Sequence, residues 1–183
     1  ADLVERVAKR SFRGFFRDNI SRPLGLATLD FGARGDALAR LARNYVAGFK
    51  FSAPADMYLR RAIGTSLDDA VKLSNDPRYY RAVIPAGNGV GTADECSQFF
   101  QCLLNGGRLG GVRVFKPLTV RRAIAEVGKP ELDRSLMVPL RYSAGMMLGA
   151  SPFGMYGPDT SKAYGHLGFA NNFVWADPER DTS

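Results

Sequence analysis

Hydrophobic and polar positions follow two rhythms along the 183 residues. Between residues 2 and 19, Val4, Val7, Ala8, Ser11 and Phe15 fall on one side of a helical wheel and Arg6, Arg10, Arg13 and Arg17 on the other, which predicts an amphipathic helix. It ends before "SRPLGL", where Pro23 and Gly25 impose a turn. Residues 35–80 are less regular: "GDALARLARNYVAGF" has helical character, while "SLDDAVKLSNDP" reads as an irregular connection. From residue 92 the pattern sharpens. Thr92 followed three residues later by Glu95 reads as a capping box, and Cys96, Phe99, Phe100, Leu103 and Leu104 recur at i, i+3, i+4, i+7 and i+8 before Gly106. That spacing predicts a core-facing helix. After "LGGVRVF", a strand or turn, Pro117 opens a short helix, "PLTVRRAIAEV", that ends at Gly128. From Leu140 the rhythm changes: "LRYSAGMML" and "KAYGHLGFANNFVWAD" carry the aromatic and branched content of strands, on either side of the Gly/Pro-rich "GASPFGMYGPDTS". "DPER" after Trp175 reads as a turn with no return strand, which leaves an unpaired sheet edge.

This length supports one domain with a core. No segment approaches the apolar run of a membrane span. The N-terminal "ADLVERVAKRSF" lacks the apolar block and small-residue cleavage site of a secretory signal. Lys plus Arg (25) exceed Asp plus Glu (18), for a net charge of +7. An excess of that size invites a nucleic-acid partner, but its one organised feature is the arginine stripe at 6, 10, 13 and 17, and no aromatic residues interleave with it to stack on bases. A solvated helix face is the preferred reading. Cys96 and Cys102, six residues apart on one helix, point to different sides, which disfavours a disulfide between them. With a single histidine and no Cys-x-x-Cys, a structural zinc site is not expected, and the thiols fit a reducing, cytoplasmic compartment.

Two stretches carry candidate chemistry. "GNGVG" suggests a phosphate cradle, but Gly87, Gly89 and Gly91 do not complete G-x-G-x-x-G and no Lys-Ser/Thr pair follows. A tight turn feeding the helix is the expectation there. The second stretch is His166-Leu167-Gly168. On a strand, His166 and Gly168 share one face and Leu167 takes the other, so a ligand along that face meets an imidazole and then a notch without a side chain. If this is a sheet edge, the next backbone N–H, that of Phe169, is free to donate, which adds an oxyanion donor. Taken alone, a single strand histidine is more often a surface or packing residue than a catalytic one.

Several segments together resemble the C-terminal half of the serine β-lactamase-like family, which includes class C β-lactamases, D,D-peptidases and related carboxylesterases. They are "FFRDNISRPLGLATLDFG", "IPAGNGVGTADECSQFFQCLLNGGRLGGVRVFKPLTV" and "YGHLGFANNFVWADPE". The resemblance implies an α/β (α+β) fold, an antiparallel sheet flanked by helices. In it, residues 1–135 form a mostly helical lobe and connections, with helices over 2–19 and 92–127, and residues 136–183 form the sheet portion. It further implies a domain incomplete at both ends, lacking a last strand and closing helix. The family's nucleophile is the serine of Ser-x-x-Lys, a Tyr-x-Asn motif supplies a second proton-transfer group, and a Lys/His-x-Gly strand lines the site. Only the last is here: no serine in the chain has lysine three residues on, and no tyrosine has asparagine two residues on.

Carried over residue by residue, the resemblance makes His166 a group that positions or polarises substrate and the Phe169 N–H the oxyanion donor. Leu167 and Gly168 become substrate-binding positions. The substrate is then a small ester or amide, with no metal and no organic cofactor. The alternative is a catalytically inert relative that keeps the fold as a binding or regulatory module. A serine hydroxyl is a weak nucleophile until a neighbouring base takes its proton, so acyl transfer requires a serine supplied from outside residues 1–183.

Overall fold

The computed structural model describes residues 1–48, 52–134, 136–168 and 172–183, apart from the side chains of Ala55, Leu59 and Ala62. The first helical stretch is not one helix. Helix α1 (Asp2–Ala8) ends at Lys9, whose φ of 53° is left-handed, and α2 (Phe12–Phe16) restarts after Ser11, which caps it by accepting the Gly14 N–H at 3.2 Å. A π-helical turn, Arg17–Ser21, completes the stretch. The break destroys the common arginine face that continuous helical spacing predicted. The four arginines instead divide among three carboxylates: Arg6 pairs with Asp2, Arg10 and Arg17 share Asp18, and Arg13, with its side chain 10% exposed, pairs with Asp30 at 2.7 Å. Three arginines around Asp18, counting Arg22, hold its carboxyl below the ordinary range, the Arg17 hydrogen bond contributing most.

Strand β1 (Asp30–Phe31) leads to a 3-10 turn over Gly35–Arg40. Residues 41–47 carry no regular structure, and the helical expectation for 35–49 fails there. Helices α3 (Ala53–Ile63), α4 (Leu67–Ser74) and α5 (Pro77–Arg81) follow. Helix α4 corrects the reading of "SLDDAVKLSNDP" as irregular. Ser66 caps it from the Asp69 N–H at 3.1 Å, and Val71 and Ser74 are its buried positions. Too few apolar residues for a visible period hid a helix that its cap and acidic first turn announce.

"GNGVG" is structural, as expected. Strand β2 (Gly89–Val90) pairs with β1, and buried Asn88 accepts from the Ile84 N–H and donates to the Tyr79 and Ala82 carbonyls. Helix α6 (Ala93–Leu104) begins at Thr92, whose hydroxyl accepts the Glu95 N–H at 3.1 Å. The Glu95 carboxylate takes the Thr92 backbone N–H, as a capping box requires, and also the N–H and hydroxyl of Thr28, tying α6 to the loop before β1. Strands β3 (Arg108–Leu109) and β4 (Val112–Arg113) form a hairpin across Gly110 and Gly111, both at positive φ, and α7 (Pro117–Ile124) starts on its proline.

The remaining strands are β5 (Glu131–Asp133), β6 (Val138–Tyr142), β7 (Met147–Leu148), β8 (Phe153–Gly154), β9 (Gly157–Pro158), β10 (Tyr164–Gly168) and β11 (Asn172–Ala176). Five of them form an antiparallel sheet in the order β11-β10-β7-β6-β5, and β8 and β9 pair as a separate hairpin. Because β5 pairs with β6, the sheet starts at Glu131, before the boundary at residue 136. Registers Tyr164↔Leu148 and Tyr164↔Ala176 put these side chains on one face. There they meet Phe100 and Leu103 of α6 and Val120 of α7 in the hydrophobic core, with Phe99, Leu104 and Ile124 packed around it. The predicted α6 stripe is therefore the side that docks on the sheet, Cys96 excepted, which is only half-buried. No helix among the described residues is long and apolar enough to cross a membrane.

Candidate active-site strand

Strand β10 carries the one histidine, and its two glycines have opposite reasons to be there. Gly165 faces Trp175 across the β10–β11 ladder; a Cβ at 165 would stand 2.2 Å from the Val174 carbonyl oxygen and 2.5 Å from Trp175 Cα. Only glycine lets the strands approach there. The space it leaves on that face is roofed by Tyr156, which stacks on Trp175 with centroids 5.5 Å apart and planes 10° from parallel. Tyr156 also donates its hydroxyl to the Met147 carbonyl at 3.2 Å. At Gly168, opposite Asn172, the nearest atoms to a Cβ are 3.5 and 3.6 Å away, an ordinary contact. No described residue crowds a side chain at 168.

Strand alternation puts His166 on the face shared with Tyr164, but at the far end from the core helices. Tyr164 is 1% exposed, whereas His166 and Gly168 are exposed. The His166 ring is held at 2.7 Å from the Leu167 carbonyl by Nδ1. A carbonyl can only accept, so Nδ1 carries a proton and donates it, and the other ring nitrogen, Nε2, has no partner among the described residues. Leu167 is half-buried on the opposite face. Phe169 lies outside the described residues.

The edge of β10 opens at the same point. Strand β7 pairs with it only through Leu148 and Met147, opposite Tyr164 and Gly165. Beyond Gly165 no strand lies on that side among the described residues, and the Leu167 N–H donates to Met147 Sδ at 3.5 Å. Three consecutive residues thus combine an imidazole with a ring nitrogen that has no partner among the described residues, a position without a side chain, and a strand edge without a backbone partner among them. Sequence reasoning missed Gly165 and Met147. Gly165 had a signal, a glycine that hairpin register sets opposite a tryptophan; Met147 had none, because its role depends on where β7 stops.

A surface depression of about 480 Å³ lies at the Tyr164 end of the same face, lined in part by Glu126, Arg141, Lys162 and Glu179. It does not reach His166. Arg141 is committed there: it pairs with Glu126 at 2.8 Å and donates to the carbonyls of Gly149 and Ser161, which holds the Glu126 carboxyl below its ordinary range. Among the described residues no three His, Cys, Asp or Glu side chains converge as metal ligands would.

The family model described as beta-lactamase matches residues 1–183. "Esterase/beta-lactamase LipL" of Mycobacterium tuberculosis (strain ATCC 25618 / H37Rv) is 31% identical over 143 residues, covering 78% of this chain and 29% of that protein. A penicillin-binding protein homolog from Caulobacter crescentus superposes with a TM-score of 0.74 at 28% identity, covering 98% of this chain and 47% of its own. A family VIII carboxylesterase shares the fold with a TM-score of 0.79 at 24% identity and the same coverages. The chain spans about half the length of these solved structures and less than a third of the curated relative. With its sheet, its flanking helices and its whole length matched, the chain belongs to the serine β-lactamase-like family of hydrolases.

Proposed function

We propose that residues 1–183 supply the substrate-facing edge strand of an esterase-type serine hydrolase, whose nucleophile lies outside them. The observation that carries this reading is the end of β10: among the described residues, a ring nitrogen without a partner at His166, a notch at Gly168 that no neighbour demands, and a strand edge that β7 leaves open. The relative named as an esterase and β-lactamase supports the esterase assignment. In this reading the serine oxygen adds to the carbonyl carbon of a small ester or amide, and the resulting oxyanion takes the Phe169 N–H. Collapse expels the alcohol or amine, which leaves with a proton, and water then releases the acid and restores the serine. His166 positions the substrate, and its Nε2 accepts a hydrogen bond from the departing alcohol or amine once that group carries its proton. Gly168 lets the acyl group lie against the strand, and Leu167 fixes the strand from the other face.

The test is the intact mass of the full-length protein after incubation with a fluorophosphonate, alongside its turnover of an aryl ester. Addition of one phosphonyl group to a serine outside residues 1–183 is expected. His166→Ala should fold normally and lower kcat about a hundredfold, the scale of one positioned proton-transfer group. A folded full-length protein that takes no label would replace this reading with the inert binding module, and unchanged turnover in His166→Ala would remove His166 from the mechanism.

A further inference from the structure

Leu167 pairs with Phe173 of β11, but on the β7 side it has no strand partner among the described residues, and something else stands in for one. In the antiparallel register the residue after Met147 to meet β10 would be Met146, opposite His166. Met146 is drawn away by a tight turn, in which Ser143 Oγ accepts its N–H at 2.8 Å and its carbonyl accepts the Ser143 N–H at 2.9 Å. The N–H and C=O of one strand residue point to the same side, so both polar groups of Leu167 face the open edge. Each is held by a side chain. Met147 Sδ takes the N–H at 3.5 Å, and His166 Nδ1 donates to the carbonyl at 2.7 Å.

Met147 can do this because it is fixed. It is 6% exposed, its backbone is paired to Gly165, and its carbonyl is held by Tyr156, which is itself stacked on Trp175. A thioether is a weak acceptor, and its flexible stem allows it to reach an edge that a backbone carbonyl cannot.

We infer that Met147 is a positioning residue for the β10 site: its sulfur anchors the Leu167 amide, and through Leu167 it fixes the carbonyl that orients the His166 ring. The inference rests on the reading of β10 as the substrate strand. Its reach is the orientation of Nε2: β11 holds Leu167 from one side through its pairing with Phe173, and the sulfur holds the amide on the open side, next to the carbonyl that orients the His166 ring.

The experiment compares wild-type full-length protein with Met147→Leu, which keeps the apolar volume and removes the acceptor. Hydrogen exchange at the Leu167 amide is expected to accelerate about tenfold, and kcat for an aryl ester to fall about tenfold. KM should change by less than about twofold, because orientation of a reacting group and not ground-state binding is lost. Selenomethionine-labelled protein, which retains a soft acceptor at 147, should keep wild-type kcat and exchange. Unchanged exchange in a folded Met147→Leu overturns the anchor itself. Accelerated exchange with unchanged kcat, in a full-length protein that labels with fluorophosphonate, overturns the positioning role and leaves the site standing. If the wild type neither labels nor turns over ester, the site reading fails, and the positioning role fails with it whatever the exchange rate shows.

Discussion

The two glycines of β10 give the sharpest separation of fold from function. Gly165→Ala places a methyl group 2.2 Å from the Val174 carbonyl oxygen and 2.5 Å from Trp175 Cα and Cβ. Ordinary contacts begin near 3.4 Å, so the strands must part by about an ångström, and two of the three atoms met are backbone that cannot rotate away. Overpacking of a core costs about 1–3 kcal/mol when side chains can adjust. With backbone on the receiving side the cost belongs at or above the upper end, about 3 kcal/mol, and it falls on the ladder that carries the site. Gly168→Ala meets nothing closer than 3.5 Å, and its φ lies outside the left-handed region, so its stability cost should stay within about 0.5 kcal/mol. Urea denaturation of both full-length variants, followed by tryptophan fluorescence, measures the difference. Gly165→Ala should unfold at clearly lower urea. Gly168→Ala should unfold with the wild type and still lose ester turnover, because the notch is filled. A Gly168→Ala enzyme of normal activity would refute the claim that this position is kept empty for substrate, and a stable Gly165→Ala would refute the strand-approach argument.

The Arg13–Asp30 pair is nearly buried, and Arg13 Nη1 has no hydrogen-bond partner among the described residues. Asp30→Ala should therefore cost about 3–5 kcal/mol in urea denaturation, because it strands a buried guanidinium. Asp2→Ala, which removes the partner of Arg6 where both side chains are about three-quarters exposed, should change stability by less than about 1 kcal/mol. Tyr142 is raised to about 12 by burial and by its hydrogen bond to Asp133, and Tyr164 to about 12 by burial. Their folded pKa values exceed the ordinary 10, so the stability they contribute is complete below pH 10 and is lost as pH climbs from 10 through 12. Alkaline unfolding should steepen across that window, and Tyr142→Phe should flatten it.

The sequence by itself determined those elements whose signal is local. Helix α6 was legible because Thr92 caps it and Phe100 and Leu103 recur at core spacing, and α7 because Pro117 opens it. The tripeptide His166-Leu167-Gly168 and its alternation were legible too, since a two-residue period fixes which side chains share a face. Only the tertiary structure decided where the chain breaks or stops pairing. Lys9 interrupts the first helix and the arginine stripe is divided among three carboxylates, Asp2 for Arg6, Asp18 for Arg10 and Arg17, and Asp30 for Arg13. Glu95 serves its own cap at Thr92 and also reaches Thr28, 67 residues away. The site owes most to the place where β7 ends: two residues of pairing leave the Leu167 edge open, and a turn at Ser143 sets that length. Strand ends of this kind depend on partners far apart in the chain, so a local pattern names the residues that could act while the packing of distant segments decides which of them are left free to do so.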